Sequence, residues 1–191
     1  MKNMFKHYGP WLAIILTCTL AALLLQLQGR LWICQCGRVY LWAGDIWSAD
    51  NSQHLLDPYS FTHILHGFIF FWVTSWFLPR LDFGWQMWLA ILVEAAWEVG
   101  ENTELVIQRY REATLALGYN GDTIVNSLSD IALCGVGILI ARRLGFWRTL
   151  ALFIMTEIAL TLWIRDSLLL NILMLLYPID AIRNWQVGPA S

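Results

Sequence analysis

Three glutamate residues stand at helical spacing within an apolar stretch of the sequence, LAILVEAAWEVGENTELVI. They are Glu94, Glu98 and Glu101, and their i, i+4, i+7 spacing places them on one face of an α-helix. Ionisable groups in so apolar a segment are unfavourable to bury, and they usually face a partner charge, a metal or a polar cavity. The row therefore predicts one wall of a functional site.

Two further pairs of polar residues have the spacing of helix faces. His63 and His66 are three residues apart near the start of another apolar stretch, and Asn126 and Asp130 are four apart near the start of a third. Successive helices of a bundle run in opposite directions, so these pairs fall at the same end of the bundle as the glutamate row. We expect them to form one polar cavity there.

Three kinds of chemistry fit this set. Two histidines and a carboxylate on a facing helix can bind a divalent metal such as zinc, and the set for this is His63, His66 and Glu98. A histidine beside a buried glutamate is alternatively an acid–base pair that needs no metal. A structural network, whose members satisfy one another between helices, is the third alternative. The candidate catalytic residues are Glu94, Glu98, His63, His66 and Asp130.

Arginine residues follow the glutamate row in ELVIQRYREATLALGYNGDT. The guanidinium groups of Arg109 and Arg111 can bind phosphate or carboxylate through two hydrogen bonds, which predicts a clamp for a lipid headgroup at the mouth of the cavity. Pairing with acidic residues of the same segment is the alternative, and those are Glu104, Glu112 and Asp122. The candidate substrate-binding residues are Arg109, Arg111, Asn126 and Arg165.

The composition predicts a polytopic membrane protein. Of the 191 residues, 58% are hydrophobic and 14% are charged, whereas soluble domains carry about 25% charged residues. The mean hydropathy is +0.55. A net charge of −2 gives no basic surface for nucleic acid. We expect an all-α helix bundle that forms one domain over residues 1–191, with membrane lipids as its surroundings.

The apolar stretches predict five membrane-spanning helices and a shorter segment. The spans are expected at residues 10–27, 61–78, 84–107, 123–141 and 148–164. The shorter segment, SLLLNILMLLYPIDAIRNW, ends its apolar run at Pro178, and it is a re-entrant helix, an interfacial helix or a tilted sixth span.

The distribution of basic residues favours a cytoplasmic N-terminus. Lys2, Lys6 and the pair Arg142–Arg143 would lie on the cytoplasmic side with few acidic neighbours, whereas the arginines of the opposite side are interleaved with acidic residues. In this orientation the predicted cavity opens to the outer face of the membrane.

Two smaller patterns carry structural expectations. Cys34 and Cys36 form a C-x-C motif in the first loop, where free or partner-linked thiols are expected rather than a bridge within the motif. Gly135 and Gly137 in the fourth span are expected to allow close approach of another helix.

Four segments resemble a bacterial family of integral membrane proteins that carries no assigned activity: WSADNSQHLLDPYSFTHILHG, WEVGENTELVIQRYREAT, GYNGDTIVNSLSDI and IRDSLLLNILMLLYPIDAIRNWQ. More distantly, the order of these elements is similar to the VanZ-like superfamily. That resemblance implies the bacterial inner membrane and chemistry of the cell envelope. The residues it would involve are Asp57, His63 or His66, Glu94 or Glu98, Arg109 or Arg111, Asp122, Asn126 and Asp130.

These observations together favour an inner-membrane enzyme that hydrolyses or transfers a group on a lipid or lipid-linked envelope substrate. A small transporter or ion-binding membrane protein is one alternative, and a non-catalytic envelope assembly factor is another. A transporter would need a polar path to the inner face, but the inner halves of the predicted spans lack ionisable residues.

Overall fold

Every regular element of the described chain is a helix, apart from one isolated parallel bridge between Trp42 and Leu56. The computed structural model describes residues 2–113 and 119–187, with the backbone alone for residues 2–7 and 187. The prediction of an all-α protein is confirmed for this part of the chain. The helices are α1 (Lys2–Leu27), α2 (Ser60–Phe77), α3 (Phe83–Glu101), α4 (Glu104–Ala113), α5 (Ile124–Leu144), α6 (Phe146–Ile164), α7 (Leu168–Leu176) and α8 (Asp180–Val187).

Three described helices are long and apolar enough to cross a membrane: the Tyr8–Leu27 part of α1, then α5 and α6. The sequence predicted five spans, and the two that fall short are α2 and α3. These helices have 18 and 19 residues, so they do not lack length. Their hydropathy is lower than that of the other three instead, because α2 carries two histidines and α3 carries three glutamates.

The third predicted span, 84–107, is too long. Helix α3 ends at Glu101, and a separate helix, α4, begins at Glu104. The break lies at Asn102, whose Nδ2 donates to the Glu98 carbonyl oxygen at 3.0 Å and to Asp122 Oδ2 at 2.8 Å. Its Oδ1 accepts the Asp122 N–H at 2.7 Å. These bonds cap α3 and tie its end to the start of α5.

The last apolar segment folds as two short helices. Helix α7 has nine residues and is about 14 Å long, which is too short to cross a hydrocarbon core of about 30 Å. The N–H groups of Leu168 and Leu169 donate to the Glu157 carboxylate at 3.0 and 3.1 Å. Because Glu157 lies well inside α6, α7 folds back beside that helix. This favours the re-entrant or interfacial alternative over a sixth span.

Helices α2 and α5 form the closest contact of the bundle. A Cβ atom added at Gly67 would clash with the carbonyl oxygen of Cys134 and would lie 2.8 Å from the Cα of Gly137. A Cβ atom at Gly137 would clash with the carbonyl oxygen of Ile64. The predicted role of Gly137 in close approach is confirmed. Gly135 has only ordinary contacts, to the side chains of α3.

The first loop and the segments before α5 and α7 gather at one end of the bundle, which we call the cavity end. There the first loop meets the start of α5, since the Ile124 N–H donates to the Leu31 carbonyl at 2.8 Å and the Thr123 N–H to the Ser52 carbonyl at 3.1 Å. The cavity end contains the start of α2, the end of α3, the start of α5 and helices α4 and α7. The row of glutamates, the histidine pair and Asp130 are all positioned at this end.

The thiols of the C-x-C motif do not remain free. Cys34 and Cys36 are paired as a disulfide, with Cα atoms 5.1 Å apart. The Gly37 N–H donates to the Cys34 carbonyl at 2.9 Å, and this tight turn brings the two side chains together. The expectation of free or partner-linked thiols was therefore wrong.

Candidate functional site

A cavity of about 90 Å³ opens at the cavity end of the bundle. Its walls come from α2, α3, α4, α5 and α7, together with the loops before α2 and α5. Among the described residues that line it, there is no lysine or arginine. The ionisable lining residues other than tyrosine are Asp57, His63, His66, Glu101, Asp122 and Asp130.

Glu94 joins the two histidines beneath this cavity. Its Oε1 lies 2.6 Å from His63 Nδ1, and its Oε2 lies 2.9 Å from His66 Nδ1. The Glu94 side chain is fully buried, so it has no water to replace these partners. A carboxylate can only accept, so each Nδ1 carries a proton, and Nε2 is the nitrogen of each ring that can exchange one. Histidines held in this way are ready to accept a proton or to bind a metal through Nε2.

His63 also contacts two further carboxylates. Its Nδ1 is 3.3 Å from Glu98 Oε1, and its Nε2 is 3.7 Å from Asp130 Oδ2. Asp130 Oδ1 accepts a hydrogen bond from the Ser60 hydroxyl at 3.4 Å. His63 is thus enclosed by three acidic side chains, and Asp130 is the one that faces its Nε2.

The metal set expected from the sequence is not the set that the fold assembles. Glu94, rather than Glu98, lies against both His63 and His66. Glu98 groups with His63 and Asp130 instead. The cause is the register between α2 and α3. Glu94 lies one turn before Glu98 on α3, at the level of the two histidines on α2.

A second acidic cluster lies at the end of α3. Ligand-type oxygen atoms of Glu98, Glu101 and Asp122 all lie within 4.8 Å of one another. Both carboxylate oxygens of Glu98 are buried and have no hydrogen-bond partner in the described structure. Asp122 is well held, because Asn102 Nδ2 donates to its Oδ2 and the Tyr119 hydroxyl donates to its Oδ1, each at 2.8 Å.

Asp57 sits where the first loop enters α2. Its Oδ1 accepts the N–H groups of Tyr59 at 2.8 Å and Ser60 at 3.2 Å, and its Oδ2 accepts the Ser52 N–H at 3.0 Å. Burial raises the pKa of the Asp57 carboxyl, and the nearby Asp122 carboxylate raises that pKa further. Asp57 therefore orders the start of α2 while also lining the cavity.

Arg109 is placed away from the cavity, at the C-terminal end of α7. Its Nε donates to the carbonyl oxygen of Leu175 at 2.8 Å, and its Nη2 donates to that of Leu176 at 3.5 Å. These are carbonyl groups that no helical partner satisfies, and they carry the negative end of the helix dipole.

Arg111 and Arg165 also bind the backbone. Arg111 donates to the carbonyl oxygen of Tyr119 at 2.5 Å and to the side chain of Asn120. Arg165 Nη1 donates to the Trp185 carbonyl in α8 at 3.1 Å. None of the three candidate arginines lines the cavity. Their role in binding a headgroup stays a prediction.

The sequence of this chain matches a known family model. Residues 25–188 match the family model described as "Protein of unknown function (DUF2585)". The chain belongs to this family. The expected membership of a bacterial family without an assigned activity is thereby confirmed, and the more distant resemblance to the VanZ-like superfamily stays a prediction. No solved structure matches the chain.

Relatives of the DUF2585 chain are found in several bacteria. A UPF0314 protein of Paracoccus denitrificans is 47% identical over 184 residues, which cover 96% of this chain and 95% of the relative. A UPF0314 protein of Sphingopyxis alaskensis is 48% identical over 179 residues, covering 93% and 95%. A third, from Rhizobium meliloti, is 44% identical over 184 residues, covering 96% and 93%.

Two residues of the site were missed from the sequence. Asn102 caps α3 and orients Asp122, and its position four residues after Glu98 would have placed it on the same helix face. Tyr119 binds Asp122 from the turn before α5, and no local pattern indicated this. Asn126, which was expected, lines the cavity and donates from Nδ2 to the His54 carbonyl at 2.9 Å.

Proposed function

We propose that this DUF2585 chain is a multi-pass protein of the bacterial inner membrane that performs acid–base chemistry in a cavity open to the outer face. Its substrate would be a lipid or lipid-linked envelope compound, on which it hydrolyses a bond or transfers a group. The observation that carries this proposal is the single buried carboxylate of Glu94 bound to the Nδ1 atoms of both histidines.

Helices α2 and α3 would cross the membrane together with the three more apolar helices. α2 packs against α5, and α3 packs against α1, so both lie beside helices that are apolar enough to span. Their 18 and 19 residues give lengths of about 27–29 Å, which match the hydrocarbon core. Their ionisable side chains are directed to one another inside the bundle, where such groups are tolerated.

The outward orientation rests on the basic residues. With a cytoplasmic N-terminus, Arg142 and Arg143 at the end of α5 lie on the cytoplasmic side and follow the positive-inside rule. The cavity end then faces outward, where envelope precursors are processed.

In the proposed mechanism, Glu94 stays ionised and keeps both imidazole rings in the Nδ1–H form. The free Nε2 of His63 or His66 takes a proton from water or a substrate hydroxyl, and the imidazolium returns a proton to the leaving group. Asp130, 3.7 Å from His63 Nε2, stabilises the positive charge that forms on the ring. In the metal-dependent version, His63 and His66 would hold zinc with Glu94 orienting both rings, and the zinc would supply an activated water.

The size of the cavity bears on the substrate. A volume of about 90 Å³ holds a small polar group, and a whole lipid molecule is far too large for it. We infer that only the reacting group enters, while the acyl or isoprenoid part lies along the apolar outer surface of the bundle. Large apolar side chains such as Leu162 and Leu169 are exposed there.

The experiment uses a deletion of the family member in Paracoccus denitrificans. Lipids and lipid-linked intermediates are compared by mass spectrometry between the parent, the deletion strain and strains complemented with this chain. We expect one compound class to accumulate in the deletion strain. The wild-type chain should reverse this accumulation, whereas the Glu94→Gln and His63→Ala variants should not. The exposed Glu104→Gln variant is the matched control and should complement fully.

Two results would overturn the enzymatic proposal. Unchanged lipid profiles in the deletion strain would remove the substrate class, and full complementation by Glu94→Gln would favour a non-catalytic assembly factor. Metal analysis of the purified protein, compared with His66→Ala, separates the zinc-dependent version from the metal-free one.

A second candidate is an ion-binding or ion-transporting membrane protein. It is favoured by the excess of acidic over basic groups around the cavity, with four carboxylates and two histidines on the lining. Reconstituted vesicles loaded with a cation-sensitive dye discriminate the two, since transport requires flux across the bilayer whereas the proposed enzyme gives none.

A further inference from the structure

The acidic cluster at the end of α3 contains a carboxylate that the described residues leave without a hydrogen bond, although the His63 imidazole lies 3.3 Å from it. Glu98 is fully buried, and neither of its oxygen atoms has a hydrogen-bond partner among the described residues. Other buried glutamates of the bundle are treated differently: Glu94 binds two imidazole rings, and Glu157 accepts two backbone N–H groups. A buried polar atom without a hydrogen-bond partner calls for an explanation, and a bound ion is one such explanation.

The neighbours of Glu98 increase the need for positive charge. Glu101 and Asp122 bring their oxygen atoms within 4.8 Å of it, and they are 9% and 6% exposed. Three carboxylates this close cannot all stay ionised in a low-dielectric site unless a cation lies between them or protons neutralise them.

No described side chain supplies that charge in full. The Arg30 guanidinium, which lies beside Gly121, donates to the Asn120 carbonyl oxygen. The nearest group that can carry a positive charge is the His63 imidazole, whose Nδ1 lies 3.3 Å from Glu98, and it also contacts Glu94 and Asp130. Arg109 and Arg111, the arginines closest in sequence, donate to backbone carbonyl groups and to the side chain of Asn120.

The surroundings also have the features of a built ligand shell. Asn102 and Tyr119 each donate to an oxygen of Asp122 at 2.8 Å, which fixes the orientation of that carboxylate. Groups that orient the ligands in this way are typical of metal sites. Glu101 and Asp122 line the cavity, so a cation has a route from the outer solution to Glu98.

We propose that Glu98, Glu101 and Asp122 together bind one divalent cation, at a site that adjoins His63 but uses neither histidine as a ligand. All three ligands are oxygen atoms, which suit Mg²⁺, Ca²⁺ or Mn²⁺ better than zinc. The inference rests on the cluster alone and does not depend on the reaction proposed above.

Mn²⁺ is the probe for the test, because the free ion has an electron paramagnetic resonance signal that binding removes. The full chain is purified in detergent, treated with chelator and titrated with Mn²⁺. We expect one ion per wild-type chain, displaced by excess Ca²⁺ or Mg²⁺. Glu98→Gln and Glu101→Gln should each weaken binding at least tenfold, and Asn102→Ala about 10–100-fold through loss of ligand orientation.

Two controls keep the outcome unambiguous. Glu104→Gln makes the same chemical change at an exposed residue and should bind Mn²⁺ as the wild type does. If Glu98→Gln does not fold, the Mn²⁺ affinity of Glu101→Gln, at the cavity wall, is measured instead. Mn²⁺ should also raise the Tm of the wild type.

The proposal is overturned if the wild type binds no Mn²⁺, which would mean that the carboxylates are neutralised by protons. It is equally overturned if Glu101→Gln binds Mn²⁺ with unchanged affinity. The Mn²⁺ measurement uses purified protein without substrate, so it is independent of the lipid comparison. If the purified protein binds Mn²⁺ while the deletion strain has normal lipids, this inference stands and the enzymatic proposal fails.

Discussion

At the residue scale, the arrangement around Glu94 determines which nitrogen of each histidine is available. One carboxylate accepts from two Nδ1–H groups, and each of its two oxygen atoms is an acceptor with no proton to donate. A glutamine at this position has one acceptor oxygen and a donor NH₂ group. Its oxygen can accept from one Nδ1–H group, but its NH₂ group then faces the Nδ1–H group of the other ring.

The first prediction concerns the tautomers of His63 and His66. Nitrogen NMR of histidine-labelled protein should show both rings protonated at Nδ1 in the wild type. In Glu94→Gln at least one ring should change to the Nε2–H form, because the amide NH₂ group donates toward its Nδ1. Spectra that are identical in the two proteins would contradict the assigned role of Glu94.

Asp166 gives a second prediction, on pH dependence. Burial raises the pKa of this carboxyl from 3.8 to about 6, although the Ser167 N–H and the Tyr59 hydroxyl donate to it. The folded state therefore holds a proton that the unfolded state releases at lower pH. Its stabilising effect is complete below about pH 4 and is lost as the pH rises through about 6, a change of roughly 3 kcal/mol.

Thermal unfolding in detergent between pH 4 and pH 7.5 measures this effect. The wild type should lose stability across that range by more than Asp166→Asn does, since the amide does not titrate. Asp57, whose pKa is also raised, contributes in the same direction to both proteins and cancels in the comparison. An equal pH dependence in the two proteins would be inconsistent with a protonated Asp166.

At the scale of elements, the contact between α2 and α5 sets the geometry of the site. His63 and His66 lie on α2, and Asp130 lies on α5, so the distance between these helices fixes the distance between the groups. That distance is set by Gly67 and Gly137, which face each other across the contact.

The third prediction is that Gly67→Ala destabilises the protein by about 1–3 kcal/mol, because the added methyl group forces the helices apart. Gly100→Ala in α3 is the matched control, since nothing lies within 4 Å of the position its Cβ would take. That control should be neutral or more stable by about 0.5–1 kcal/mol, as expected for alanine in a helix. Unfolding by denaturing detergent compares the two, and a stable Gly67→Ala protein would refute the tight contact.

Much of this arrangement could be predicted from periodicity. The i, i+4, i+7 row and the histidine pair share faces as expected, and they meet because helix order alone brings the starts of α2 and α5 to the end of α3. What periodicity could not supply was the register between helices. The choice of Glu94 over Glu98 as the partner of both histidines depends on a shift of one turn between α2 and α3, and no local pattern fixes that register.

Contacts between residues that are far apart in the chain could not be predicted from the sequence either. The break at Asn102 depends on Asp122, a residue twenty positions away, so the continuous apolar pattern up to Ile107 suggested one longer helix. Arg109 was expected near an anionic ligand, yet it binds carbonyl groups at the end of α7, 66 residues along the chain. Such contacts are made by tertiary folding and leave no local signal.

At the scale of the whole molecule, the outer surface of the bundle is consistent with a lipid environment. In the apolar windows of α1 and α6, only 22% and 28% of residues are buried within the protein, compared with 56% for α5. Helix α5 therefore forms the centre of the bundle, and α1 and α6 present most of their apolar side chains outward.

The fourth prediction concerns orientation in the membrane. In a chain without its native cysteines, Asp50→Cys near the cavity end should react with a membrane-impermeant maleimide added to spheroplasts. Arg143→Cys at the opposite end should react only after the membrane is permeabilised. Both residues are exposed, so accessibility within the protein does not limit either reaction. The reverse labelling pattern would place the cavity on the cytoplasmic side.

The dependence of α2 on α3 also has a consequence for biosynthesis. His63 leaves the ribosome 31 residues before Glu94, so for that interval its imidazole ring has no carboxylate to bind. A segment with two such rings partitions poorly into lipid by itself. We expect the translocon to hold α2 until α3 has been made, and to release the two into the bilayer as a hairpin beside the already inserted α1.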